Sequence, residues 1–196
     1  LGVGDVGRLN ERILQGELTD IILVSEALHE KKIAYLADNI SNKDNIKLVL
    51  IAGPSSSGKT TFLNRLAIQL KVNGAIPVKI SLDDYFIDRV NSPKDENGNY
   101  DFESIKSIDL PLFNEHVNKL LKGNEIEIPR YNFKTGEREW HGEKLKLPNN
   151  GVILVEGIHG LNPILTKDIP DENKFKIYIS ALTQPVSYTH LRAHET

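Results

Sequence analysis

The sequence predicts a three-layer α/β/α fold, a parallel sheet between helices, with a β-hairpin inserted on one side. Three observations predict it. Residues 46–52, IKLVLIA, form an almost unbroken apolar run, the mark of a strand buried on both faces. That run leads into the turn GPSSSGKT at 53–60, and then into a helix with Phe62, Leu63, Leu66, Ala67 and Leu70 on one face. Two further strand-like runs, 76–82 and 152–156, each end in acids, at Asp83-Asp84 and at Glu156. Strand, turn, helix and strand in this order join parallel strands by right-handed crossovers. With that turn after the first strand, the arrangement is that of a P-loop NTPase.

The elements follow in chain order. Residues 1–41 read as helical, because Ile21, Val24, Leu28, Ile33, Leu36, Ala37 and Ile40 recur at three-to-four spacing. Gly2, Gly4 and Gly7 match the dinucleotide fingerprint G-x-G-x-x-G, but no strand precedes them, so they read as a linker. Asn73-Gly74 closes the helix after the GPSSSGKT turn. From Phe86 to Asp109 the chain is polar, with a turn cluster at 93–98. Asp109 reads as an N-cap and Pro111 suits a first turn, ahead of the helical face Leu112, Phe113, Val117 and Leu120. Over 125–147 the period changes to two, Ile126 and Ile128 alternating with Glu125 and Glu127, and Thr135-Gly136 supplies a turn: a β-hairpin. Residues 175–180, FKIYIS, alternate as a last strand. The expected organisation is a helical tail of a preceding region or linker at 1–45, a P-loop domain at 46–184, and a non-native tail at 185–196.

The bulk properties exclude several functions. The 196 residues carry 24 Lys+Arg against 27 Asp+Glu, a formal net charge of −3, which argues against coating nucleic acid or an anionic membrane. Cysteine is absent, so no disulfide or thiolate metal site forms. No apolar run approaches the roughly 20 residues a membrane helix requires. A cytoplasmic enzyme or binding domain is expected, without membrane or direct nucleic-acid partners and compatible with a homo-oligomer. The chain starts at Leu1 and holds no Met, and so reads as a fragment. PVSYTHLRAHET at 185–196 has neither helical nor strand period and resembles the translation of a transposase-type sequencing adapter. His190 and His194 accordingly carry no functional weight.

The chemistry centres on Gly53-Pro54-Ser55-Ser56-Ser57-Gly58-Lys59-Thr60, a full match to G-x-x-x-x-G-K-[ST]. Glycines let the backbone approach phosphates, so the N–H groups of Gly53 and 55–61, including those of Ser55, Ser56, Ser57 and Thr61, can form an anion nest. The following helix aims its positive end at the same place. Lys59 would reach the β- and γ-phosphates of ATP, and Thr60 would offer a hydroxyl to Mg²⁺. Open α/β sheets bind ligands at the carboxyl ends of their strands. Asp83 and Glu156 therefore stand as candidate base and metal anchor, while Asp84 is expected to face away by strand alternation. The same acids could instead cap helices or lie in solvated turns.

GPSSSGKTT, ISLDDYF, Tyr131-Asn132-Phe133 after IEIP, and VEGIHGLNP together resemble the uridine kinase and phosphoribulokinase family over about 47–184. The likeness is nearest to long bacterial uridine kinase-like proteins with a threonyl-tRNA-synthetase-like region ahead of the kinase. The resemblance implies an ATP- and Mg²⁺-dependent phosphotransferase acting on a nucleoside-like hydroxyl. It implies that Asp83 is the catalytic base, also holding Mg²⁺ through water, and that Glu156 is the second metal anchor beside Thr60. Asn99-Tyr100-Asp101 matches the stretch that grips ribose hydroxyls, with Glu103 as a competing alignment. Tyr131 corresponds to a tyrosine that contacts the nucleobase; its other reading is an aromatic packing the hairpin onto the sheet. The sequence also departs from the family. The histidine that contacts the pyrimidine falls at Gly136 or beside it, the nearest histidine being His141. The family's arginine-rich lid would lie past Gln184.

Other readings remain on the residues alone. For a GTPase, Asp95-Glu96-Asn97-Gly98 matches D-x-x-G but follows a polar turn, and Asn42-Lys43-Asp44-Asn45 lacks the Asp required two places after Lys and precedes the P-loop. A kinase for a sugar phosphate or pantothenate, or a non-catalytic nucleotide-binding regulatory module, shares the same loop.

Overall fold

A computed structural model describes residues 3–180; the tail expected at 185–196 lies outside them. The elements are α1 (Val6–Leu14), α2 (Leu18–Ser41), β1 (Leu48–Ala52), α3 (Lys59–Val72), β2 (Ile76–Ser81), α4 (Leu110–Leu121), β3 (Glu125–Asn132), β4 (Glu137–Lys146), β5 (Gly151–Glu156) and β6 (Lys174–Tyr178). A parallel sheet in the order β2-β5-β1-β6 carries the fold, and β3 and β4 form the expected antiparallel hairpin. Among the described residues no helix is long and apolar enough to cross a membrane.

The apolar runs behave as strands buried on both faces. Every residue of β1 is buried, and successive residues alternate between two cores. Val49 and Ile51 join Val152, Leu154, Phe175 and Ile177 under α2 and α3. Leu48 and Leu50 join Ile80, Ile153 and Val155 under α4 and the hairpin, against Phe113, Val117, Leu120, Ile126 and Ile128. The two cores make the three layers.

The N-terminal helix is broken at Gly16, whose φ of +79° no helical residue adopts. Gly7 lies within α1 rather than in a linker, because Asp5 caps that helix by accepting the Arg8 N–H at 2.8 Å. Val24, expected on the buried face of α2, is 48% exposed; α2 buries Ile21 and then Ile33, Leu36, Ala37 and Ile40. Its second half lies on α3, tied by Gln69 donating to Glu30 (2.9 Å) and Asn73 donating to Asp38 (2.9 Å).

Asp109 caps α4 as expected, accepting the Leu112 N–H at 3.1 Å. Its other oxygen accepts from Arg138 of β4 at 2.9 Å, and the same guanidinium donates to the Phe86 carbonyl at 3.0 Å. One half-buried arginine thus joins hairpin, helix and the loop after β2. Removing it strands two acceptors, so Arg138→Ala is expected to cost about 2–4 kcal/mol, read as a lower midpoint in urea. An unchanged midpoint would show the hairpin docks by its apolar face alone.

Candidate active site

Parallel register sets the site. Ser81 and Ile51 both pair with Glu156, so β2, β5 and β1 end on one row and deliver their loops to one edge. From β1 the chain enters residues 53–58. Ser56 takes a positive φ of 59° and Gly58 one of 86°, and this left-handed pair turns the loop before α3 begins. Gly58 needs to be glycine for that backbone. Gly53 needs it for a different reason than close approach to phosphate: a Cβ there would run into the Ile179 carbonyl at the end of β6.

The loop's polar groups match an anion. The first N–H groups of α3 have no helical acceptor by geometry. Ser57 Oγ is buried with no hydrogen-bond partner. Lys59 Nζ donates back to the Pro54 carbonyl at 2.8 Å, across the mouth of the loop. Ser55, Ser56 and Thr61 line the exposed side.

Beside the loop, Thr60 Oγ1 donates to Glu156 Oε1 at 3.1 Å. Ser81 Oγ donates to the same oxygen at 3.4 Å, a contact the sequence reading missed although Ser81 ends β2 two residues before Asp83. Asp83 sits in the 3-10 turn Leu82–Tyr85. Asp83 is exposed as a residue, yet the protein crowded round its carboxyl is the main cause that lifts it above the usual carboxylate range. Glu156 raises it further, while Lys59 opposes. The structure therefore brings Lys59, Thr60, Asp83 and Glu156 together. Their oxygens suit a hard cation, and among the described residues no three carboxylates or imidazoles could hold a metal alone. That donor set fits Mg²⁺, which keeps waters and borrows phosphate oxygens instead of filling a protein cage.

Asp84 does turn away, but not by strand alternation. On a 3-10 turn successive side chains point about 120° apart. Asp84 accepts from Arg130 at 2.9 Å and from the Tyr131 N–H at 3.4 Å. Burial lifts its carboxyl and Arg130 opposes. Arg130, in the run IPRYNF, gave no signal beyond facing out on β3.

The acceptor-side residues are arranged less openly. Asp101 Oδ1 accepts the N–H groups of Glu103 and Ser104, both at 3.1 Å, so one oxygen serves its own turn. Glu103 is exposed. Tyr131 is buried against Phe86 at 5.4 Å and Phe133 at 5.0 Å between ring centroids, which favours its packing role. Asp95 accepts the Asn97 and Asn99 N–H groups within a turn, which accounts for the D-x-x-G match.

Residues 48–185 match the phosphoribulokinase / uridine kinase family. The chain belongs to that family. A uridine kinase of Ureaplasma parvum serovar 3 is 31% identical over 67% of this chain and 61% of its own length. Uridine-cytidine kinase A of Dictyostelium discoideum is 30% identical over 72% of this chain and 27% of its own length. The chain thus spans about three-fifths of the first of these relatives. A solved structure, of a possible uridine kinase from Bacillus stearothermophilus, superposes with a TM-score of 0.54 at 23% identity, over 68% of this chain and 70% of that one, a likeness of fold.

Proposed function

We propose that residues 46–184, with α2 packed on them, form an ATP-dependent kinase domain that transfers the γ-phosphate to a hydroxyl of a uridine- or cytidine-like nucleoside. The observation that carries this is the meeting of Lys59, the Thr60–Glu156 pair and Asp83 at one edge of the sheet. Lys59 leaves the Pro54 carbonyl for the β- and γ-phosphates, which the loop N–H groups cradle. Asp83 accepts the proton of the acceptor hydroxyl as its oxygen bonds to the γ-phosphorus. The bond to the β–γ bridging oxygen breaks, and ADP leaves with the electron pair. Thr60, Glu156 and, through water, Asp83 would hold Mg²⁺, which would supply neutralisation of the phosphate charge. Asp101 or Glu103 grips the sugar hydroxyls, and Tyr131 borders the base.

A regulatory module that only binds nucleotide needs no base, and the placing of Asp83 beside Lys59 and the Thr60–Glu156 pair disfavours it. The test is ADP release by the full-length protein with ATP, Mg²⁺ and a panel of uridine, cytidine, a pentose phosphate and pantothenate. Nucleoside-dependent release is expected. Tight ATP binding with no transfer to any acceptor would put the regulatory module in its place.

A further inference from the structure

The core under α4 contains a polar pair that neither the phosphate loop nor the carboxylates beside it use. Tyr85, fully buried, and His116 of α4, 6% exposed, meet through the phenol oxygen and Nδ1 at 3.0 Å. Rings pack round them: Phe113 meets Tyr85 edge-on at 5.2 Å, and Trp140 of β4 meets His116 at 6.3 Å between centroids. Burial pushes the Tyr85 phenol up and the His116 imidazole down, so both are neutral near pH 7. The hydroxyl therefore donates and Nδ1 accepts. Such a pair adds little net stability over an apolar pair of the same shape, and what it adds instead is direction.

Tyr85 ends the 3-10 turn Leu82–Tyr85 that carries Asp83. Among the described residues nothing donates a hydrogen bond to the Asp83 carboxyl, so the backbone of this turn decides where it points. The turn's own bond is weak, the Asp83 carbonyl accepting the Phe86 N–H only at 3.5 Å. Anchors outside it must hold it. Leu82 fixes one end, packed so closely that a Cβ on Gly157 would lie 2.7 Å from its own. Asp84 bonds Arg130, whose side chain is 44% exposed. Tyr85 supplies the anchor shut away from water. Its carbonyl accepts the N–H of Asp109, the cap of α4, at 2.8 Å, and its hydroxyl reaches His116 about two turns further along that helix. A ring held only by contact with Phe113 could pivot; with its hydroxyl bonded it cannot.

We infer that Tyr85 and His116 are positioning residues for phosphoryl transfer: the buried hydrogen bond between them fixes the turn that aims Asp83 at the acceptor hydroxyl. The inference rests on the kinase reading above. Both side chains are buried and touch no substrate, so they act through the turn. Their loss should fall on kcat and spare the binding of ATP, which the loop at 53–60 holds.

The experiment is steady-state kinetics of the full-length protein with ATP, Mg²⁺ and whichever of uridine, cytidine, a pentose phosphate and pantothenate it uses, run beside unfolding in urea. Tyr85→Phe is expected to lower kcat by about 10-fold or more, on the scale where a remote change that misplaces a group by about 1 Å costs about 10²-fold. Both KM values should stay within about 3-fold. Its urea midpoint should fall as well, since Nδ1 is left buried without a donor. Tyr85→Phe combined with His116→Leu removes both polar groups, so the midpoint should recover while kcat stays low. His116→Asn keeps an acceptor near the place of Nδ1, and its kcat should stay within about 3-fold of the unsubstituted protein. A double variant whose kcat recovers with its midpoint would leave the pair a packing feature and overturn the assignment. So would an unchanged kcat in Tyr85→Phe, or a loss in His116→Asn as large as in Tyr85→Phe. If Tyr85→Phe does not fold, the double variant and His116→Asn decide. The kinase reading stands in each of these cases; transfer to no acceptor by the unsubstituted protein removes both.

Discussion

Asp83→Asn in the full-length protein is expected to lower turnover by about 10²–10⁴, the usual range for losing a general base. Nucleotide affinity should change by less than about 3-fold, because Lys59 and the loop backbone are untouched. Phosphoryl transfer leaves a protein mainly positioning and charge stabilisation to supply, plus one group to take the acceptor proton. In the proposed reading Asp83 is that group, exposed and next to Lys59 and Glu156. Its lifted pKa has a second consequence, in the metal-free protein. A carboxyl whose folded pKa exceeds the unfolded one contributes stability below the unfolded pKa and loses it as pH rises through the folded value. At neutral pH ionised Asp83 is therefore a burden on the fold. Asparagine should raise the thermal midpoint there, with the difference shrinking as the pH falls. Asp84→Asn should cost turnover less than about 10-fold, since that carboxylate is engaged by Arg130 and the Tyr131 N–H. Near-normal turnover in Asp83→Asn would remove it as the base.

The layers and the hairpin were legible in the sequence because burial on two faces and half-burial leave different periods. β1 and β5 read as unbroken apolar runs, and β3 as an alternation over 125–128. The GPSSSGKT loop was legible because phosphate geometry dictates residue types at fixed spacing. What the sequence hid was long-range. Ser81 bonds Glu156 across 75 residues and Arg130 reaches Asp84 across 46, and neither contact leaves a local pattern. Gly53 looked like a phosphate-approach glycine because the carbonyl it must clear belongs to residue 179, just past a strand far along the chain. Gly136 looked like a missing histidine, where the fold brings in Arg89 from 47 positions upstream. Val24 matched a helical period without meeting a core, since α2 reaches the sheet only with its second half.

Lys59→Ala is expected to weaken ATP binding by about 30- to 1000-fold, some 2–4 kcal/mol at 1.4 kcal/mol per decade. The ammonium lies at the mouth of the loop, where it rests on a neutral carbonyl, Pro54 O at 2.8 Å. Exchanging that carbonyl for phosphate oxygens converts a charge–dipole contact into a charge–charge one, and alanine forfeits the whole difference. The backbone N–H groups and the end of α3 remain, so binding should weaken without vanishing. Stability should change little, because Lys59 lies in no apolar cluster. His159→Ala is the control. It lies on the loop after β5, half-buried, three residues past Glu156, with its backbone carbonyl accepting the Asn162 N–H. Its side chain is turned to the backbone at Glu103 and Ser104, on the acceptor side, and its loss should leave ATP affinity within about 3-fold. Calorimetric titration of both variants separates the two roles. Comparable losses from Lys59→Ala and His159→Ala would mean the phosphates bind nearer the β5 loop than the nest at 53–60.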